Sequence, residues 1–203
     1  MLTQRQEYAM ALNKIEDLTS VVDRNCTDTY FVIKCLVIKA RIYEEAAMPG
    51  KGLSITLQAA TMAHAARVLP MLWEALVALG AILNSMEEFG AATWLLENIL
   101  PRVLEHEECA MIGRAFAVLA DAYLGSAGML EKHPIQQKER LHKASESIDE
   151  AFERYAQLRN VHSQCEMLAK KATIMQLNGD VLLANDCAAQ SLSIEKLARQ
   201  QGS

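Results

Sequence analysis

Apolar residues recur along this chain at three- and four-residue intervals, and the long periodic stretches are separated by short polar joints. That spacing places them on one face of an α-helix. Nine helices are predicted, over residues 2–22, 28–47, 51–68, 70–86, 88–104, 108–127, 135–158, 161–178 and 180–199. The four prolines are read as joints, because proline lacks an amide proton and is tolerated chiefly in a first helical turn. Thr27 and Asn160 are expected N-caps, their side-chain oxygens accepting from free first-turn amides. Glu105, Glu107 and Glu108 suit a positive helix N-terminus, and Gly179 suits a turn.

Taken in pairs, the helices repeat an order of large and small residues. Leu76, Leu79, Gly80 and Leu83 are followed by Phe89, Ala92, Leu96 and Ile99. Phe116, Leu119, Ala120 and Tyr123 are followed by Ala144, Ile148 and Ala151; Leu168, Ala172 and Met175 by Gly179, Asp180, Ala184 and Ala188. Earlier, Leu36, Ala40 and Tyr43 precede Ala59, Ala63 and Ala66. This order resembles the tetratricopeptide repeat (TPR), in which two antiparallel helices pack through small residues at fixed offsets. The resemblance implies an all-α, tetratricopeptide-like helical-repeat solenoid of about nine antiparallel helices. One repeat domain is expected over residues 1–203, with a half repeat at 1–25 and helix pairs at 28–68, 70–104, 108–158 and 161–199. Gly80 is expected where the two helices of one pair approach closely.

The aligned small residues Ala40, Gly80, Ala120 and Ala172 lie 40, 40 and 52 positions apart, longer than the basic unit of about 34. The additional length falls in Gly125 to Lys143, read as a loop or helix extension, where Lys132, Lys138, Arg140 and Lys143 gather around Pro134. Lys39 and Lys171 occupy positions where the repeat usually has a large apolar residue.

A net charge of −5 on 203 residues gives no general attraction for phosphate backbones, so nucleic acid is not an expected partner. The longest unbroken apolar run, Ala75 to Leu83, is far short of the roughly 20 residues that cross a bilayer. No membrane association is expected, and without a basic-then-apolar leader an intracellular location is. Cys26, Cys35, Cys109, Cys165 and Cys187 lack C-x-x-C spacing and are read as small buried apolar residues. Met62, Met86, Met111, Met167 and Met175 are assigned to the core.

Chemistry is sparse. In His106-Glu107-Glu108-Cys109 only the outer two residues share a helix face, and two ligands do not make a zinc site. Gly50-Lys51-Gly52-Leu53-Ser54 lacks the phosphate-loop spacing, and there is no G-x-S-x-G elbow. No catalytic residue, cofactor, metal or small-molecule substrate is expected. What a solenoid offers is a concave surface lined by the first helix of each pair. Counting from the aligned small residues places Lys34, Arg41, Glu44, Glu74, Asn84, Arg114, Asp121, Glu166, Thr173 and Gln176 there as a partner-binding ladder of alternating charge.

A closer resemblance is carried by Lys51-Gly52-Leu53-Ser54, Leu69-Pro70-Met71-Leu72-Trp73-Glu74-Ala75 and Leu95-Leu96-Glu97-Asn98-Ile99-Leu100-Pro101. It continues through Leu119-Ala120-Asp121-Ala122-Tyr123 and Cys165-Glu166-Met167-Leu168-Ala169-Lys170-Lys171-Ala172. Together these look like the C-terminal repeat region of anaphase-promoting complex subunit 5, fungal type. The resemblance implies a piece of a larger non-enzymatic platform subunit of a ubiquitin ligase in cell-cycle control. Other subunits of the complex would be its partners, and its location would be nuclear and cytoplasmic. The alternative is a helical-repeat sensor or adaptor that binds a signalling peptide or transcription factor.

Overall fold

The computed structural model describes residues 2–25, 28–106, 108–130 and 132–201, and all regular structure among them is helical. The helices are α1 (Leu2–Asn25), α2 (Thr29–Glu45), α3 (Pro49–Ala65), α4 (Leu69–Ser85), α5 (Phe89–Glu105), α6 (Cys109–Met129), α7 (Pro134–Gln157), α8 (Val161–Leu177) and α9 (Val181–Gln201). Each falls within three residues of its predicted bounds. Within α1 to α4 and within α6 to α9 each helix packs on the next, as short connections between amphipathic helices require, and α2 also packs on α4.

The starts of α2 to α6 are spaced at a constant 20 residues, 17 of helix and three of connection, and the interval returns between α8 and α9. Five connections share one conformation. Their middle residue has a left-handed backbone: Ala47 (φ 56°), Arg67 (57°), Glu87 (62°), Arg159 (53°) and Gly179 (83°). In each, two amides fold back onto the last turn of the helix, as when Met48 N–H donates to Tyr43 O at 2.8 Å and Ala47 N–H to Glu44 O at 3.0 Å. This arrangement satisfies carbonyls that the end of a helix leaves open. Four of the five left-handed positions carry a Cβ, which costs about 1–2 kcal/mol there. Glycine relieves that strain but loses about 0.4–1 kcal/mol through its freer unfolded chain. Arg67→Gly is therefore expected to raise stability by about 0.5 kcal/mol in a denaturant melt, and Glu87→Gly by a similar amount.

Helix starts obey local rules. Asn160 caps α8 by accepting from Ser163 N–H at 3.2 Å. The cap of α2 is Asp28, accepting from Tyr30 N–H at 3.0 Å, while Thr27 lies outside the described residues. Pro49 and Pro134 open α3 and α7, and Pro70 sits in the first turn of α4. Pro101 departs from the expected joint: it lies inside α5. Glu105 closes α5 rather than opening α6, whose cap residue is Glu108.

The chain groups into two compact units, Met1–Ile99 and Leu100–Ser203, divided two residues before Pro101. In the first, Ile33, Val37, Ala59, Ala63, Met71 and Ala75 form a continuous buried cluster. Close approaches need small residues. A Cβ on Gly80 would lie 3.0 Å from the Leu96 side chain, and one on Gly52 3.3 Å from the Ala40 carbonyl oxygen. In the second unit a Cβ on Gly113 would meet Arg154 Cβ at 3.1 Å. Ala40 and Ala120 are fully buried, whereas Ala172 is only half-buried.

Lys39 and Lys171 are accommodated by ion pairs, Lys39 with Glu16 at 2.8 Å and Lys171 with Asp149. Met111 and Met167 are core, but Met86 is exposed at the end of α4. Cys35 and Cys187 are buried, while Cys109 and Cys165 are half-exposed. Among the described helices α6 alone is long and apolar enough to cross a membrane, a property hidden from a count of unbroken apolar runs by Arg114 and Asp121. More than half of its apolar stretch is buried within the protein, as in a core helix.

Candidate partner-binding surface

The ten ladder residues all lie on first helices: Lys34, Arg41 and Glu44 on α2, Glu74 and Asn84 on α4, Arg114 and Asp121 on α6, and Glu166, Thr173 and Gln176 on α8. They occupy positions six before, one after and four after the aligned small residue. Those offsets fall within about 80° of one another around a helix. Glu166, Thr173 and Gln176 are exposed and the other seven half-buried.

In the first unit Lys34 and Glu74 meet. The lysine amine donates to both carboxylate oxygens, at 2.9 and 2.8 Å, joining equivalent positions of α2 and α4. Arg41, two turns along α2, forms no ion pair among the described residues.

In the second unit Asp121 accepts from Lys170 at 2.8 and 2.9 Å, tying α6 to α8, and Glu166 sits 3.0 Å from the same amine. The Thr173 hydroxyl turns back to the Ala169 carbonyl at 3.1 Å. Lys170 is not among the ladder residues expected from the sequence. Its signal there is Glu166 four positions earlier, but its principal partner is 49 residues away.

Burial pushes the Asp121 carboxyl above the usual carboxylate range, against the pull of Lys170. Burial also works against the Lys170 charge, but Asp121 and Glu166 outweigh it and hold the amine above its ordinary value of 10.5. A raised folded-state pKa means that the contribution of Lys170 is complete below 10.5 and is lost as pH climbs through the higher folded value. Lys170→Met, which leaves two carboxylates facing each other, is expected to cost about 1 kcal/mol at pH 7. Thermal melts check the sign: the gap between parent and variant holds up to pH 9 and closes above about 10.5.

The basic segment is a helix extension, with α6 running to Met129 and α7 beginning at Pro134. Arg140 and Lys143 lie over the Tyr123 ring, 5.6 and 5.8 Å from its centre, so two of the four cations are held by packing. Lys132 and Lys138 face solvent. Beside the extension, the first half of α7 and the α8–α9 turn enclose an open cleft of about 780 Å3, whose apolar lining includes Ile135, Leu141, Met175 and Leu183. Nothing in the residue pattern points to it. Among the described residues no three His, Cys, Asp or Glu side chains gather to hold a metal; Cys109 instead donates to Gln157 Oε1 at 3.3 Å.

Two crystal structures of a Podosopora anserina protein, described as a kinesin light chain with nearly identical TPR-like repeats, superpose on this chain with TM-scores of 0.62 and 0.59. Each shares 17% sequence identity, over 98% of this chain and 92% of the other. The fold is TPR-like. No family profile matches the sequence, and no curated protein does. The TPR-like pairing accounts for the positions of Ala40, Gly80 and Ala120, each on a first helix at a helix–helix contact. It also places every ladder residue on a first helix.

Proposed function

We propose that this chain is a non-enzymatic protein–protein interaction scaffold, and that it serves as a platform subunit of an anaphase-promoting-complex type ubiquitin ligase in cell-cycle control. The observation that carries the scaffold reading is the polar position six residues before each aligned small residue: Lys34, Glu74, Arg114 and Glu166 in successive pairs. A charged position that returns with every first helix offers a partner directional contacts at regular intervals, in addition to the ion pairs that Lys34, Glu74 and Glu166 already make. The ligase assignment rests on the sequence segments that look like anaphase-promoting complex subunit 5, with other subunits as partners and a nuclear and cytoplasmic location.

Affinity purification of the tagged chain followed by mass spectrometry tests the assignment. Recovery with cullin and RING subunits supports the ligase platform; recovery with a single peptide or transcription factor replaces it with the sensor. The binding face is tested by Arg41→Ala combined with Asn84→Ala, and separately by Arg114→Ala. Exposed or half-exposed polar truncations change stability by about 0.5 kcal/mol, whereas central binding residues cost above about 1 kcal/mol in affinity. Substitution of Gln58, Asn98 and Glu153 on α3, α5 and α7 is the control, and loss of binding there with normal binding in the first set overturns the assignment.

A further inference from the structure

The cleft beside α7 arises from the fold itself. At 24 residues α7 is seven longer than α8, about 10 Å of helix, so its first turns outrun the α8–α9 turn and leave a gap between the two. Ile135, Glu139, His142 and Glu146 follow at intervals of four, three and four residues, and this one line of α7 faces the gap. Ile135 is 86% exposed on that wall, and Leu183 is 48% exposed on the wall formed by the turn. Buried Leu141 and half-buried Met175 extend the same lining, which is mostly apolar. Single exposed side chains are ordinary, but a concave lining with apolar groups on both walls marks an interaction surface.

Charge narrows what fits. Residues 132–143 carry Lys132, Lys138, Arg140 and Lys143 against the single carboxylate of Glu139, a surplus of three positive charges in a chain of net charge −5. Glu139 is already held by Lys143 at 3.6 Å, Glu146 lies 3.6 Å from His142, and Arg140 stacks on Tyr123. Lys132 and Lys138 form no ion pair among the described residues, and Lys138 lines the cleft. The α7 wall therefore presents uncompensated positive charge beside an apolar surface. Asp180 stands on the opposite wall, exposed and likewise without an ion pair, so the acidic groups of an occupant belong on the α7 side.

The walls also select the occupant's backbone. Both are built from helices whose amides and carbonyls bond internally, so an extended peptide finds no ladder to join, whereas a helix arrives with its own backbone bonds made. An open cleft does not surround a small molecule as a ligand pocket does. From Ile135 to Glu146 the facing line of α7 covers about 16 Å, or three turns of a partner helix.

We propose that this cleft is a second docking site, which takes an acidic amphipathic helix of another protein. The apolar stripe of that helix enters between Ile135 and Leu183, and its carboxylates lie along Lys132 and Lys138. The site is separate from the first-helix ladder, none of whose ten residues lines it.

Fluorescence anisotropy on the whole chain is the test, with two labelled, stapled peptide helices of about 15 residues as probes. Both carry the same leucine stripe, flanked in one by Glu and in the other by Lys. The acidic helix is expected to bind at least tenfold more tightly at low salt. Ile135→Ser should weaken it at least fivefold, at a position too exposed to matter for folding, as circular dichroism checks. Lys132→Glu combined with Lys138→Glu should invert the preference, so that the basic helix becomes the tighter ligand. No binding of the acidic helix, equal affinity for the two, or acidic binding that Ile135→Ser leaves unchanged overturns the proposal. If neither helix binds and phosphatidylserine vesicles do, with loss in the double lysine variant, the positive wall belongs to a membrane surface instead and the proposal falls.

Discussion

Gly80→Leu is expected to destabilise the chain by about 2 kcal/mol in denaturant melts, although leucine is the better helix former by nearly 1 kcal/mol. The reason is distance. The first added carbon already comes within 3.0 Å of Leu96, itself fully buried, so the rest of the side chain has no free volume to enter. Leu96→Ala alone should cost about 2–5 kcal/mol by opening a cavity at the same contact. Combining the two should cost less than their sum predicts, since the new leucine fills what the old one vacates. A Gly80→Leu variant as stable as the parent refutes the packing of α4 on α5 through this residue.

The second large effect concerns Gly113 on α6. Its added Cβ meets Arg154 Cβ at 3.1 Å and the Tyr155 ring at 3.2 Å. A Cβ is fixed to its own backbone and cannot swing aside as the end of a leucine can. Here even alanine forces α6 and α7 apart, and Gly113→Ala is expected to cost about 1 kcal/mol and Gly113→Leu about 3 kcal/mol. At Gly80, by contrast, alanine meets Leu96 Cγ and both its Cδ atoms, which a small shift of that side chain relieves more readily than a Cβ can be moved, so Gly80→Ala should cost less than Gly113→Ala. Melts of the two alanine variants side by side decide whether the obstacle at each site is anchored or mobile.

These glycines also mark how far the chain is legible in advance. Gly80 stands out because Leu79-Gly80 falls in the repeat pattern, whereas Gly52 and Gly113 fall outside it, and only the packed helices reveal what they face. Helix extents come from apolar spacing with proline and cap positions, most directly where a helix buries one stripe; α6, which buries the four consecutive residues Ala117 to Ala120, is read from its length of apolar sequence instead. The 20-residue beat of the connections is harder to see. It is carried by backbone conformation at Ala47, Arg67, Glu87 and Arg159, residue types that do not advertise a left-handed turn; Gly179 alone does.

The ladder positions are countable, and their alternating charge is visible. Its physical meaning is not, because Lys34 with Glu74 and Asp121 with Lys170 are joined across 40 and 49 residues. A partner approaching the first helices of either unit must therefore compete with an ion pair that is already made. The cleft beside α7 is hidden for a similar reason. Ile135 and Leu183 look like ordinary helix residues until the lengthened α7 runs past the α8–α9 turn.

The unequal lengths of α6 and α7 carry a rule for this chain. Against the 17-residue standard, α6 has four more residues and α7 seven more. At about 3.6 residues per turn these are one and two nearly complete revolutions. Growth by whole revolutions carries a helix outward without rotating the residues beyond the insertion, so the same side chains go on facing the same neighbours. An insertion of two residues would roll that distal part by about half a circle and bring its polar side inward. Tolerated length changes in such a hairpin are thus quantised, and α6 and α7 record increments that meet the condition.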